Sequence, residues 1–209
     1  MRRSTILAFL AGIAILLAAC EQDGELRVRN RTASDVWISV DNSEPRQLAA
    51  ETNWSAYYGS DRSVTVSYNG NYVFANTVTR EVKKNLVSTV DINPDGGAIR
   101  LINDGEVTLS EVYVSEAGDP NWGMDDLSGF LLPGENTLWT VTEGTWDIKA
   151  VDVDYGTHYI YGQTVSSNTT LELLFSAFGK EGQDRKHSAA RNTKTQGKTS
   201  RRIHDGKAL

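Results

Sequence analysis

The chain has 209 residues, 21 Lys and Arg against 27 Asp and Glu, a formal charge of −6 and one cysteine. A lone cysteine excludes an internal disulfide scaffold, and the absence of G-x-S-x-G, H-E-x-x-H and a phosphate-cradling glycine loop removes the commonest catalytic frameworks. The charge is unevenly spread: residues 24–95 are near neutral, residues 96–176 hold two basic against thirteen acidic side chains, and residues 180–209 hold nine basic against three acidic.

The N-terminus comes first. Arg2 and Arg3 precede an unbroken apolar run from Ile6 to Ala19, with small residues just before Cys20, the pattern of an export signal. At about 1.5 Å per residue that run is roughly 21 Å long as a helix, short of the roughly 30 Å hydrocarbon core, so it is a poor membrane span. Ser4-Thr5 fits a twin-arginine signal poorly, and a generic signal peptide with an incidental cysteine is the plain alternative. Leu17-Ala18-Ala19-Cys20 resembles the lipobox of bacterial lipoproteins. That resemblance implies a cleaved signal over residues 1–19 and a diacylglyceryl group and N-acyl chain, such as palmitate, on Cys20. It makes residues 20–23 a lipidated tether. One acyl chain anchors marginally and two or more anchor stably, so the expected address is the cell envelope, on the exported side of an inner or outer membrane.

Beyond the tether the chain repeats itself. "GELRVRN" at Gly24 lines up with "GAIRLIN" at Gly97, "VWIS" at Val36 with "VYVS" at Val112, "LAAE" at Leu48 with "LPGE" at Leu132, and "YNG" at Tyr68 with "DYG" at Asp154. The order is kept throughout, which reads as a tandem duplication whose second copy has gained residues. Each copy reads as β. Leu26 and Val28 alternate with Arg27, Arg29 and Arg31, and "DVWISV", "SVTVSY", "TLWTV" and "TWDIKAV" follow the same period of two. Asn69-Gly70, Asp104-Gly105, Pro133-Gly134 and Tyr155-Gly156 are turn dipeptides. The fold class predicted is all-β: two tandem small antiparallel β-sandwich repeats, residues 24–95 and 96–177, after the signal peptide, with a disordered basic tail over 178–209. The four-residue join Asn93-Pro94-Asp95-Gly96 is no flexible linker, and domains of about 75 residues without disulfides bury little surface, so the copies are expected to pack together. The second copy resembles a module of exported and lipid-anchored bacterial proteins, through its "IRLIN" and "VYVS" strands, "NWGMDDL" loop, "LPGE" turn and "GTWDIKAVD" strand. The resemblance implies a β-sandwich on an envelope protein and no particular activity.

The largest gain in the second copy is the segment Gly118–Asp126, and loops on rigid β scaffolds tend to carry binding residues. Trp122, Asp119, Asn121, Asp125 and Asp126 are therefore the candidate binding residues. The four oxygen-bearing side chains are hard donors suited to Ca²⁺, although the spacing is not that of an EF-hand. Their plain alternative is turn geometry and solvation. Trp122 is expected at the surface, available to stack on a sugar ring. Trp54 and Trp139 are expected at matched, buried strand positions, and Trp146, alternating with Ile148, in the core. Tyr57, Tyr58, Tyr159 and Tyr161 complete the aromatic pool. Arg27, Arg29 and Arg31 form an outer stripe able to meet lipid phosphates or simply solvent. Asp152 and Asp154 are expected to end a strand before the Tyr155 turn, and His158 to be an ordinary polar strand residue, so no catalytic residue is assigned. The expectation is a lipid-anchored envelope protein with a non-catalytic binding or structural role. Its partners would be the membrane and an envelope polysaccharide or another envelope protein, and not nucleic acid.

Overall fold

The computed structural model describes residues 22–180 and the backbone of 203–205. The export signal, Cys20 and the tail segment 181–202 lie outside the described residues. Among the described residues no helix is long and apolar enough to cross a membrane. The first repeat has seven strands: β1 (Gly24–Asn30), β2 (Val36–Val40), β3 (Arg46–Leu48), β4 (Asn53–Tyr58), β5 (Arg62–Gly70), β6 (Val73–Val82) and β7 (Val87–Ile92). The second has β8 (Gly97–Ile102), β9 (Leu109–Glu116), β10 (Asn136–Val141), β11 (Gly144–Asp152), β12 (Thr157–Val165), β13 (Thr170–Leu174), a 3₁₀ turn (Phe175–Ala177) and β14 (Gly179–Lys180). A short strand β15 (Ile203–Asp205) borders β10.

Each repeat is a two-sheet sandwich with the same wiring. In the first, β4-β1-β7 faces β3-β2-β5-β6; in the second, β10-β8-β13 faces β9-β11-β12, extended by β14. The pairs are antiparallel except one in each repeat, since β7 runs parallel to β1 and β13 parallel to β8. Alternation sets the faces. Leu26 and Val28 point into a first core with Ile38, Val64 and Ile92, while Ile99, Leu101, Trp139, Trp146 and Ile148 fill a separate second core. Gly24 and Gly97 open equivalent strands for one reason: a Cβ there would strike the carbonyls of Lys83 and Ser166 respectively. The second repeat's packing continues past 177, where Phe178 is buried and Gly179–Lys180 pairs with β12.

A buried asparagine ends the first strand of each repeat. Asn30 Nδ2 donates to the carbonyls of Ser34, Leu48 and Ala49, and its Oδ1 accepts from Thr32 N. Asn103 repeats this with Val107 O at 2.8 Å, Leu131 O at 2.9 Å and Gly105 N at 3.2 Å. The clip also corrects the alignment. Leu48 corresponds to Leu131 and not Leu132, and β4 matches β10 two residues away from the expected pairing of Trp54 with Trp139, so Trp54 matches Thr137 while Trp139 matches Ala56. Trp139 is fully buried, whereas Trp54 is half-buried under the Arg46 guanidinium, 4.6 Å from its ring centroid. Asn69-Gly70 is likewise not a turn: it ends β5, and the chain reverses at Asn71-Tyr72.

The repeats join in series. The β5–β6 turn holds the linker, with Asp95 N and Gly96 N both donating to Tyr72 O and Phe74 N donating to Asp95 Oδ1. Thr140 Oγ1 donates to Gly70 O and Asn71 O, Tyr72 Oη bonds Thr170 Oγ1, and Ala33 N donates to Asn168 Oδ1. Ala98 and Thr140 lie on the outer face of their sheet yet are completely buried, because the first repeat covers them. The end of β1 thus meets the start of β8, leaving the Gly24 end and the Asn103 end at opposite extremes.

Candidate functional site

The Gly118–Asp126 segment lies along the free edge of β9. In the first repeat β3 pairs with the equivalent edge, that of β2, through Val36↔Leu48, Trp37↔Gln47 and Ile38↔Arg46. In the second repeat only the single bridge Leu109↔Leu131 remains of that pairing, and side chains replace the missing strand. Val112 N donates to Asp125 Oδ1 at 2.9 Å, Val114 N to Asp126 Oδ2 at 2.8 Å, and Asp126 N returns a bond to Val112 O at 2.7 Å. Asp125 Oδ1 also accepts from Leu127 N, and the indole Nε1 of core Trp139 donates to Asp126 O. An unpaired edge invites another strand, so Asp125 and Asp126 act here as edge covers. Asp119 and Asn121 shape the loop instead, accepting from Asn121 N and Gly123 N. The four candidate donors are thus spread along the loop on backbone amides. Among the described residues no group of three or more His, Cys, Asp or Glu side chains is gathered as a metal ion needs.

The root of the loop hangs on Asp147, which the sequence reading missed. It sits at a bulge between Trp146 and Ile148, is buried, and accepts from Gly118 N through Oδ2 and from Gly162 N through Oδ1. Gly162 has φ +69°, a left-handed conformation that glycine adopts without strain. Strict alternation would have turned Asp147 to solvent, and nothing in the local pattern marks the bulge.

What the loop delivers is Trp122, onto the outer face of β9, β11 and β12. Tyr113, Lys149 and Tyr159 form one cross-strand row there. Tyr159 and Tyr161 stack on each other with centroids 5.6 Å apart, and Trp122 leans across both at 5.9 and 6.4 Å. Lys149 Nζ stands 3.7 Å from the Tyr113 ring centroid and 5.6 Å from that of Trp122, within cation–π range. Tyr113 Oη donates to Glu111 Oε2 at 2.5 Å; that bond, reinforced by partial burial, pushes the phenol up to about 12. Trp122 is therefore half-buried against tyrosines, and Tyr159 and Tyr161 belong to this outer cluster and not to the core. Tyr113 and Lys149 were legible only as outward strand positions, since their meeting depends on strand pairing.

The other sequence candidates fall elsewhere. Arg27 pairs with Glu25, and Arg29 and Arg31 share Asp91, so the stripe is largely neutralised by its own sheet. Asp152 ends β11: it accepts from Asp154 N and Gly156 N and meets His158 Nε2 at 2.9 Å, the two side chains buried beneath an exposed turn. The His158 contact foremost, with the turn amides, holds the Asp152 carboxyl below the usual range. A polar cleft of about 370 Å³ is lined by Asp35, Trp37, Gln47, Asn69 and Asn71 beside the repeat junction. No protein-family model and no curated protein matches the chain. Among solved structures, the Bacillus anthracis TIE protein aligns with a TM-score of 0.28 at 10% identity, over 73% of this chain and 33% of its own. The chain therefore spans about a third of that protein's length, and likeness this distant carries no argument.

Proposed function

We propose that this is a lipid-anchored envelope protein that binds a neutral saccharide, without turnover, on the Trp122 platform of its second repeat. The observation that carries the reading is Trp122 laid across the Tyr159–Tyr161 stack beside Lys149 on a sheet face. Such rings offer apolar surface for the C–H faces of a pyranose, and polar rims for its hydroxyls. The second repeat's acidic excess repels anionic polymers, which favours a neutral glycan over a charged one. Anchoring through acylated Cys20 follows from the lipobox-like sequence, and the serial arrangement of repeats would hold the platform away from the anchored end.

The test is a tryptophan fluorescence titration of the full-length protein with neutral envelope polysaccharides, beside Trp122→Ala. A saturable change in the parent that disappears in the variant is the expected result. Undiminished affinity in Trp122→Ala would overturn the reading, as would a parent that responds to none of the glycans.

A further inference from the structure

The end of the first repeat that faces away from the second carries a group of exposed apolar side chains beside the point where the chain enters. Leu86 is 58% exposed, Val87 53% and Tyr57 66%. Tyr57 and Val87 flank Glu25 in one cross-strand row, on the outer face of the β4-β1-β7 sheet, and Leu86 immediately precedes β7. The entering chain is fixed to the same place. Gln22 N donates to Asn85 Oδ1 at 2.7 Å, Asn85 N donates to Gln22 O at 3.0 Å, and Glu25 N donates to Leu86 O at 2.9 Å. Asn85 adopts φ +61°, which turns the Lys83–Leu86 segment back to receive this pairing.

We propose that this end is a membrane-contacting foot, with Leu86, Val87 and Tyr57 seated in the headgroup layer of the bilayer that holds the lipid on Cys20. The proposal rests on the reading of Cys20 as the acylated residue. Only Glu21 separates Cys20 from the docked Gln22, so two steps of about 3.8 Å keep Gln22, bonded to Asn85 beside the foot, within roughly 8 Å of the anchored residue. That reach is comparable with the roughly 5–8 Å of headgroup on each side of the hydrocarbon core, so the repeat has no slack to float free. Leucine and valine bury apolar area there, and tyrosine suits an interface that is wet at one end and apolar at the other. Charge contributes little, because Lys83 and Lys84 are offset by Asp23 and Asp61, the latter accepting from Lys84 N. Attachment of the foot should therefore survive added salt, unlike a polybasic contact.

The experiment uses the full-length, natively processed protein with a single new cysteine, Leu86→Cys or Val87→Cys, labelled with an environment-sensitive fluorophore. Met124→Cys, 85% exposed on the second repeat, is the control. Each is reconstituted in phosphatidylethanolamine–phosphatidylglycerol vesicles containing a headgroup-proximal spin-labelled lipid, and the N-terminus of each preparation is checked by mass spectrometry. Several-fold stronger quenching at positions 86 and 87 than at 124, unchanged in high salt, supports the foot. Equal quenching at all three positions with Cys20 acylated overturns the foot alone. An unmodified Cys20 overturns both the foot and the anchor on which it rests.

Discussion

Removing the buried asparagine of the second repeat should cost far more than its small size implies. Asn103 is completely buried, and its amide holds Val107 O, Leu131 O and Gly105 N together where the first strand leaves the sheet. In Asn103→Ala, Leu131 O keeps Leu109 N as a donor, but Val107 O and Gly105 N lose the bonds that Asn103 supplied. Two stranded polar groups at about 1–3 kcal/mol each, discounted for partial exposure, give roughly 2–4 kcal/mol. With both repeats melting as one unit each kcal/mol moves Tm by about 2–4 °C, so the single transition should fall by roughly 4–16 °C. Asn103→Asp should be worse than alanine at neutral pH, because it turns a carboxylate towards two carbonyl oxygens. Urea unfolding followed by fluorescence measures both, and Asn30→Ala provides the parallel test in the first repeat. A loss under about 0.5 kcal/mol in both alanine variants would refute the claim that these clips hold the strand ends.

Two further outcomes follow from the junction and the turn at Asp152. Thr140→Lys drives a charged side chain into the covered face between repeats and should split one calorimetric transition into two, whereas Thr140→Val, losing only its bonds to Gly70 O and Asn71 O, should cost about 1 kcal/mol. A single unshifted transition in the lysine variant would show that the repeats melt independently of this contact. Asp152, with its carboxyl held low mainly by His158, contributes stability that is present above the ordinary carboxylate range and lost as pH falls through the folded value. Asp152→Asn should therefore be less stable than the parent at pH 7 and lose less stability on acidification; a parallel acid limb in denaturant melts from pH 7 to 3 would contradict the assignment.

The alternation of Leu26 and Val28 with arginines, and of Ile148 and Ala150 with Lys149, fixed strand type and inward face without help from the rest of the chain. Side-chain direction along a strand is a local property with a period of two. The duplication was legible for the same reason, since "GELRVRN" and "GAIRLIN" carry the same faces, the same opening glycine and the same terminal asparagine. Partnership is not local. Which residue of β10 stands opposite Ile99 depends on hydrogen bonds across the sheet, and that register set the match of Trp139 with Ala56, against the visual pairing of two tryptophans. The added loop could be located by its length, but that its aspartates cover the edge of β9 depends on which edge the missing third strand left open. Burial of Ala98 and Thr140, the bulge at Asp147 and the meeting of Trp122 with Tyr159, Tyr161 and Lys149 likewise exist only once sheets pair and repeats stack. The chain by itself determined its strands, their inward faces and its doubling. Tertiary structure decided what those faces meet, because contacts between residues far apart in sequence form only on folding.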